Sequence, residues 1–256
     1  MKNNCLLECC VDSAASAAEA AAGGADRLEL CSGLVIGGIT PSVSLLEQIK
    51  NRSSIPVYPL IRPRFGDFLY TEDEFEQMCA DIRRLREAGA DGFVIGALNA
   101  DGTLNTDGLS RLMEACGSLP VTLHRAFDMC RSASEALETS QKLGISTILT
   151  SGQKNTCMEG LTLLKELHEQ SLSMGGSVRI MAGSGVNAGV IRTLRRETDI
   201  AVFHMSGKKV IGSGMRYRNP DVSMGAASLD EYAIWQTDAE EIRKAKLALS
   251  DPSVPG

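Results

Sequence analysis

Residues 6–30 read LLECCVDSAASAAEAAAGGADRLEL, two short apolar runs on either side of an alanine-rich run. LLECCV (6–11) and DRLEL (26–30) have the length and composition of buried strands. The segment SAASAAEAAAGG (13–24) is rich in the strongest helix-forming residue and ends in two glycines, which favour the end of a helix. The stretch therefore predicts a strand, a helix and a second strand parallel to the first.

The same alternation of short apolar runs and longer amphipathic runs continues along the chain. The further strand candidates are VYPLI (57–61), DGFVIG (91–96), PVTLHR (120–125), TILTS (147–151), VRIMAG (178–183) and AVFHMS (201–206). Eight strands separated by helical runs predict a single-domain α/β fold over residues 1–256, a parallel (β/α)8 TIM barrel. A doubly wound open sheet is the alternative, but no G-x-G-x-x-G follows the first strand.

Helix boundaries are marked by polar caps and by glycines. The N-cap candidates are Ser13, Ser42, Thr71 and Ser132, and the helix-stop candidates are Gly23, Gly89 and Gly144. The phrases AGGAD (22–26) and EAGAD (87–91) recur at the same helix-to-strand position, with KLGIS (142–146) as a looser copy. Residues 215–256 are predicted to form a long final loop followed by the eighth helix, within EYAIWQTDAEEIRKAKLALS.

Composition limits the classes of partner. The chain has 256 residues and a formal net charge of -6, which disfavours binding to nucleic acid or to an anionic membrane. It contains no signal-peptide pattern and no run of about 20 apolar residues, so we expect a cytoplasmic protein. Its eight cysteines are then expected to be free thiols. The predicted partner is a small molecule, an ion or another protein.

The first two strands share a Glu-x-Cys pattern, Glu8-x-Cys10 and Glu29-x-Cys31. Side chains two apart on a strand point to the same face. If that face is the barrel interior, the two carboxylates form one layer and the two thiols lie above them, close enough for one soft metal ion. Two thiolates suit Cu(I) better than Zn(II), which prefers four ligands. The alternative is that both cysteines are small core residues.

The segment RPRFGDF after the third strand carries Arg62, Arg64 and Asp67. Pro63 stiffens the backbone between the two guanidinium groups, which present donors suited to a carboxylate or phosphate. A structural cluster of ion pairs, with Glu8, Glu29 and Asp67 as partners, is the alternative. In either case several charges are expected at one end of the barrel.

Two of the three histidines fall at predicted strand ends. HRAFD brings His124, Arg125 and Asp128 to the end of the fifth strand, and FHMS brings His204 to the end of the eighth. A histidine titrates near neutral pH, so each is a candidate acid, base or metal ligand. A structural hydrogen bond is the alternative for each. His168, on a helix, is predicted to be a surface residue.

Glycine-rich loops follow the sixth and seventh strands. Their candidate anion-binding residues are Ser151, Gly152, Gly183, Ser184 and Gly185. Loops of this kind expose backbone N–H groups, and barrels often hold phosphate near the last two strands. Simple tight turns are the alternative.

These segments in their order resemble the CutC family of copper homeostasis proteins. The matching motifs are CVDS, GGADRLELCSGL, GGITPS, IRPRFGDF, DGFVIGAL, HRAFD, ILTSG, FH and SGMRYRN, which extend from Cys10 to about Ala227. The resemblance implies a TIM barrel that assembles as a homo-oligomer, a dimer or a tetramer. It also implies, as in some members, Cu(I) binding by Cys10 and Cys31.

Two functions are therefore predicted for the barrel. The first is copper homeostasis, with Cu(I) held by Cys10 and Cys31. The second is an enzyme, a lyase, isomerase or hydrolase, acting on a small anionic substrate such as a phosphorylated or sugar-like molecule. The predicted barrel itself places Glu8, Glu29, Arg62, His124, Ser151 and His204 at the same end.

Overall fold

The computed structural model describes residues 5–222, 224 and 230–251. Eight parallel strands form the barrel: β1 Leu6–Val11, β2 Arg27–Leu30, β3 Val57–Pro59, β4 Phe93–Ile95, β5 Val121–Leu123, β6 Thr147–Thr150, β7 Arg179–Ala182 and β8 Val202–Met205. Their order is β3-β2-β1-β8-β7-β6-β5-β4, and a parallel bridge between Leu60 and Val94 joins β3 to β4. The predicted TIM-barrel fold is confirmed.

Eight helices alternate with the strands: α1 Ala14–Gly23, α2 Val43–Lys50, α3 Glu72–Glu87, α4 Thr106–Cys116, α5 Ala133–Lys142, α6 Leu161–Ser173, α7 Ala188–Thr198 and α8 Ala239–Leu249. The predicted N-caps are confirmed, because Ser13, Ser42, Thr71 and Ser132 each accept a backbone hydrogen bond from the first turn. Helix α1 ends at Gly23, but the residue with positive φ is Gly24.

Strand parity decides which side chains reach the interior of the barrel. In β1, Leu7, Cys9 and Val11 belong to the main apolar core, which lies between the strands and the helices. Cys10 belongs instead to a separate small cluster inside the barrel. Glu8 has the same parity as Cys10, so the face of β1 that carries the Glu-x-Cys pattern points inward, as the sequence predicts.

The final part of the chain differs from the prediction. Two antiparallel strands, β9 Lys208–Gly212 and β10 Ala233–Thr237, form a hairpin outside the barrel. The sequence predicts a loop and then a helix in this part of the chain, and no strand, but AIWQT (233–237) is rich in β-forming residues, and helix α8 starts only after its cap, Asp238. The remaining predicted loop residues 223 and 225–229, and the end of the chain from 252, lie outside the described residues.

No helix in the described ranges is both long enough and apolar enough to cross a bilayer.

Candidate metal centre and ligand cavity

A small cavity of about 140 Å³ opens where the strands of the barrel end. We call it the mouth cavity. It is lined by Cys10, Glu29, Leu34, Gly37, Leu60, Arg62, Phe68, His124, Arg125, Leu149 and His204. Six of the predicted site residues therefore meet at one cavity, on β1, β2 and β8 and on the segments after β3 and β5.

The carboxylates of the two Glu-x-Cys patterns do not form one layer. Glu8 pairs in register with Arg27 of β2 and with His204 of β8, whereas Cys10 pairs with Glu29. The prediction of a carboxylate layer below a thiol layer is therefore wrong. The strands of a closed barrel are staggered, so equal positions in two neighbouring strands lie at different heights.

Glu8, Arg27 and His204 form a buried group that we call the Glu8 triad. Arg27 Nε donates to Glu8 Oε2 at 2.5 Å, and His204 Nδ1 lies 2.8 Å from Glu8 Oε1. Burial alone would raise the pKa of Glu8, but Arg27 and His204 outweigh it and lower the pKa below its ordinary value. Glu8 is fully buried in the middle of β1, below the cavity. Both of its oxygens are therefore satisfied by its two partners.

The triad also sets the orientation of His204. When Nδ1 donates its proton to Glu8, the lone pair of Nε2 is available to a metal, an arrangement common among histidine ligands in metalloproteins. Burial opposes protonation of His204, but Glu29 and Glu8 together raise its pKa above the ordinary value. A metal that binds His204 therefore competes with a proton over a wider pH range than it would at an ordinary histidine.

The two cysteine sulfurs lie side by side, as the strand parity predicts. Cys10 Sγ is 3.7 Å from Cys31 Sγ, and it also donates to Glu29 Oε1 at 3.2 Å. Both thiols are buried and neither forms a disulfide. Hydrogen bonding with Cys31, together with burial and the Glu29 charge, raises the pKa of Cys10 well above its ordinary value.

Cys10, Glu29 and His204 each offer a ligand atom, and these three atoms lie within 4.8 Å of one another. The group offers sulfur, oxygen and nitrogen donors, which suit copper or zinc better than calcium or magnesium. Glu29 and His204 are among the polar candidates that the sequence predicts, whereas Arg27 is a member of the site that the sequence patterns do not predict. Arg27 has the same strand parity as Glu29 and Cys31, and this parity is the signal that could have revealed it.

Arg62 and His124 also line the mouth cavity. Arg62 donates to the carbonyls of Gly38 at 3.1 Å and Gly66 at 2.6 Å, and its guanidinium packs over the Phe68 ring. His124 Nδ1 accepts from the backbone N–H of Ala126 at 3.0 Å. Burial and the nearby Arg62 charge lower the pKa of His124 to about 3, so the imidazole is neutral at physiological pH.

Arg64 and Asp67 lie away from the mouth cavity. Arg64 Nη2 pairs with Asp67 at 2.9 Å, and its Nε pairs with Glu74 at 2.5 Å. The Asp67 side chain is 70% exposed. The structure therefore separates Arg62 from Arg64, and the predicted array of two adjacent arginines is not formed at the cavity.

Asp128 organises the loop that follows β6. It accepts hydrogen bonds from Thr150 Oγ1 at 2.5 Å, from Ser151 Oγ at 3.0 Å and from the backbone N–H of Gln153 at 3.1 Å. Arg125 Nε pairs with Asp128 at 2.7 Å, and the same side chain reaches the cavity wall. Asp128 and Ser151 thus hold Arg125 at the edge of the cavity and do not line it themselves.

Most of the predicted anion-binding residues already use their N–H or hydroxyl groups in hydrogen bonds within the protein. The N–H groups of Ser151, Gly152 and Gly183 donate to Asp128, Thr150 Oγ1 and the Thr150 carbonyl. Ser184 Oγ donates to the Asn155 carbonyl, and Gly185 takes a positive φ of 77°. This arrangement favours the alternative of tight turns that connect the strands to the following helices.

Comparison with known proteins agrees with these features. The sequence model of the CutC family matches residues 5–209. This chain belongs to the CutC family. The human copper homeostasis protein cutC homolog is 46% identical over 94% of this chain and 88% of that one. A CutC family protein of Mesorhizobium japonicum is 44% identical over 91% of this chain and 90% of that one.

A solved structure described as the copper homeostasis protein CutC of Streptococcus agalactiae has the same fold. It superposes with a TM-score of 0.74 at 29% identity, over 79% of this chain and 98% of that one. The family match includes every residue of the mouth cavity and the Glu8 triad, from Glu8 to His204. Strand β10 and helix α8 of this CutC family member lie beyond it.

Proposed function

We propose that this CutC family protein acts in copper homeostasis by binding Cu(I) as cargo through Cys10 and Cys31. The observation that carries the proposal is the separation of 3.7 Å between two buried, unoxidised sulfurs on neighbouring strands. Soft thiolates are the ligands that Cu(I) prefers. The copper homeostasis proteins at 43–46% identity support the same assignment.

The sulfur separation favours a bent site over a linear one. If each Cu–S bond is slightly shorter than the roughly 2.3 Å of zinc–thiolate, sulfurs 3.7 Å apart give an S–Cu–S angle of about 115°. Such an angle leaves room for a third ligand in a trigonal arrangement. We assign that position to His204, because a ring nitrogen of His204 lies within 4.8 Å of the Cys10 sulfur and imidazole is a good copper ligand. Cys31 is not a member of that three-residue group, so three-coordinate binding requires the His204 ring to move toward the Cys31 sulfur.

Glu29 and Glu8 then have supporting roles. Glu29 Oε1, which accepts the hydrogen bond of the Cys10 thiol, is placed to receive the proton that Cys10 releases when it binds the ion. Glu8 holds His204 through Nδ1 and so fixes the tautomer in which Nε2 ligates. Because the pKa values of Cys10 and His204 are both raised, copper binding releases protons, and the apparent affinity falls as the pH falls.

The proposal places the protein in the reducing cytoplasm, where thiols remain reduced. A homodimer or homotetramer remains a prediction from the family resemblance. The alternative function, an enzyme acting on a small anion, draws on different atoms of the same cavity, those of Arg62 and His124.

The test is an anaerobic titration with Cu(I) against a chromogenic chelator that competes for the ion. Cys10→Ser and Cys31→Ser should each weaken binding by at least roughly a hundredfold, because loss of even an outer-shell partner costs about 10–100-fold. His204→Gln should weaken binding less than either serine variant. The matched control is Cys9→Ser, since Cys9 is equally buried in β1 but belongs to the core on the opposite face.

X-ray absorption of the copper complex gives a second measurement. Three-coordinate Cu(I) with two sulfur ligands and one nitrogen ligand is the expected result. Equal affinity for Cu(I) in the wild type, Cys10→Ser and Cys31→Ser would overturn the proposal, and so would a copper complex without sulfur ligands.

A further inference from the structure

The mouth cavity is also lined by a buried cation, Arg62, that has no carboxylate partner among the described residues. Arg62 is 8% exposed, and its hydrogen bonds within the described ranges go to backbone carbonyls, including those of Gly38 and Gly66. Its Nε has no hydrogen-bond partner there. The aromatic side chains beside it, Phe68 and Tyr70, are uncharged. A buried charge normally has a counter-ion, because its desolvation is costly.

His124 supplies a second unsatisfied donor on the same wall. Its Nδ1 accepts from the backbone N–H of Ala126, so this nitrogen carries the lone pair and the proton of the neutral ring is on Nε2. His124 is 5% exposed, and for Nε2 no partner exists in the part of the chain that the structure describes. The ring packs against Phe68, with centroids 4.9 Å apart, which fixes its direction.

The size and the other walls of the cavity restrict what could occupy it. A volume of about 140 Å³ corresponds to roughly five waters at about 30 Å³ each. Leu34, Leu60, Phe68 and Leu149 provide apolar surface. Glu29 Oε2 is a further polar atom of the lining. It is buried and has no hydrogen-bond partner in the described residues.

We propose that the mouth cavity binds a small aliphatic carboxylate whose oxygens accept hydrogen bonds from the Arg62 guanidinium and from His124 Nε2–H. A carboxylate has one negative charge and two acceptor oxygens in a plane, which matches Arg62, whose charge has no carboxylate partner in the described residues, and the neutral donor His124 Nε2–H; Arg125 already pairs with Asp128. Its short carbon chain packs against Phe68 and Leu60. A hydroxyl group on that chain would reach Glu29. This site is distinct from the copper ligands Cys10 and Cys31 and does not depend on copper.

A phosphate ester fits the same wall less well. It has a charge of about -1.5 to -2 and more acceptor oxygens than Arg62 and His124 can satisfy, and Arg125, which also lines the cavity, already pairs with Asp128. The backbone N–H groups that would supplement them, those of Ser151, Gly152 and Gly183, already donate within the protein. The observations therefore favour a monocarboxylate over a phosphate.

The experiment measures binding of lactate to the copper-free protein by isothermal titration calorimetry. Lactamide, in which an amide replaces the carboxylate, is the matched ligand control. His124→Asn keeps an acceptor for the Ala126 N–H and removes the Nε2–H, and Arg62→Gln removes the charge. Each variant should weaken lactate binding about tenfold or more, since a hydrogen bond to a charged group is being removed.

Arg64→Gln is the control variant, because Arg64 is two residues from Arg62 but pairs with Asp67 and Glu74 outside the cavity. It should bind lactate as the wild type does. Thermal unfolding of every variant shows whether the protein is folded, and His124→Asn is the decisive variant if Arg62→Gln does not fold. Absence of lactate binding at millimolar concentration, equal binding of lactamide, or unchanged binding by folded His124→Asn would each overturn the proposal. None of these results bears on the Cu(I) titration, so the two proposals fail independently.

Discussion

The Glu8 triad and the Arg62 side of the mouth cavity both bury an arginine, but they differ in how its charge is matched. Arg27 is paired with Glu8 at 2.5 Å, and the second oxygen of Glu8 is held by His204. In the part of the chain that the structure describes, Arg62 bonds to backbone carbonyls, packs over an aromatic ring and has no carboxylate partner. The first group is complete within the protein and orients a metal-capable histidine. The second group has polar atoms suited to a binding site, and within the described residues some of these atoms have no hydrogen-bond partner.

The largest effect is expected from breaking the triad with Glu8→Gln. This change leaves Arg27 buried at 4% exposure without a carboxylate, and removal of one partner of a buried pair costs about 3–5 kcal/mol. Urea unfolding followed by circular dichroism measures the loss. Glu241→Gln is the control, because its partner Lys244 and Glu241 itself are half exposed, and it should cost less than about 1 kcal/mol. If the two variants lost a similar free energy of unfolding, the Glu8–Arg27 contact would not stabilise the protein as a buried ion pair.

The two cavity histidines sharpen the comparison, because their pKa values move in opposite directions. NMR titration should find His204 above the ordinary value of 6.5 and His124 far below it, near 3. A folded pKa below the unfolded one means that the unfolded chain binds more protons, so His124 makes stability fall as the pH drops from about 6.5 toward 3. His204 has the opposite sign, and its contribution is lost as the pH rises through its raised pKa.

The variants His124→Asn and His204→Gln separate these contributions. The first should flatten the loss of stability below pH 6.5, and the second should remove stability that is present at acid pH. Ordinary pKa values for both histidines would contradict the buried electrostatics of the cavity. Since the chain has three histidines, each resonance can be assigned by single substitution.

A third test concerns Gly183, which lies beside Leu149 in the lining of the mouth cavity. A Cβ at Gly183 would overlap the Leu149 side chain, which lines the mouth cavity, and would lie 3.6 Å from His204 Cβ. Gly183→Ala should therefore destabilise the protein by about 1–3 kcal/mol, the usual cost of overpacking. Gly212→Ala is the control, because a Cβ there meets no atom within 4 Å. Chemical denaturation compares the two, and a harmless Gly183→Ala would mean that Leu149 can move aside.

The sequence predicts the barrel well because the patterns that indicate its strands are local in the chain. Each of the eight strands is a short apolar run, and the parity of Glu8 and Cys10 follows from strand geometry alone. The height of Glu29 relative to Glu8 is not local, because the stagger between β1 and β2 depends on closure of the whole barrel. The β9–β10 hairpin escaped prediction because residues 231–250 contain one continuous pattern without a glycine or proline to divide strand from helix.

The separation of Arg62 from Arg64 has a related cause, and it gives the smallest predicted effect. In a strand, side chains two positions apart point to the same face. Strand β3 ends at Pro59, however, so this rule does not apply to Arg62 and Arg64 in the segment that follows. Arg64 turns outward to Asp67 and Glu74, with its side chain 38% exposed. Arg64→Gln should cost less than about 1 kcal/mol in urea unfolding, because exposed ion pairs are screened by water. Arg62→Gln, which removes the donors of a buried side chain to the carbonyls of Gly38 and Gly66, should cost more, and equal costs would show that burial does not distinguish these two arginines.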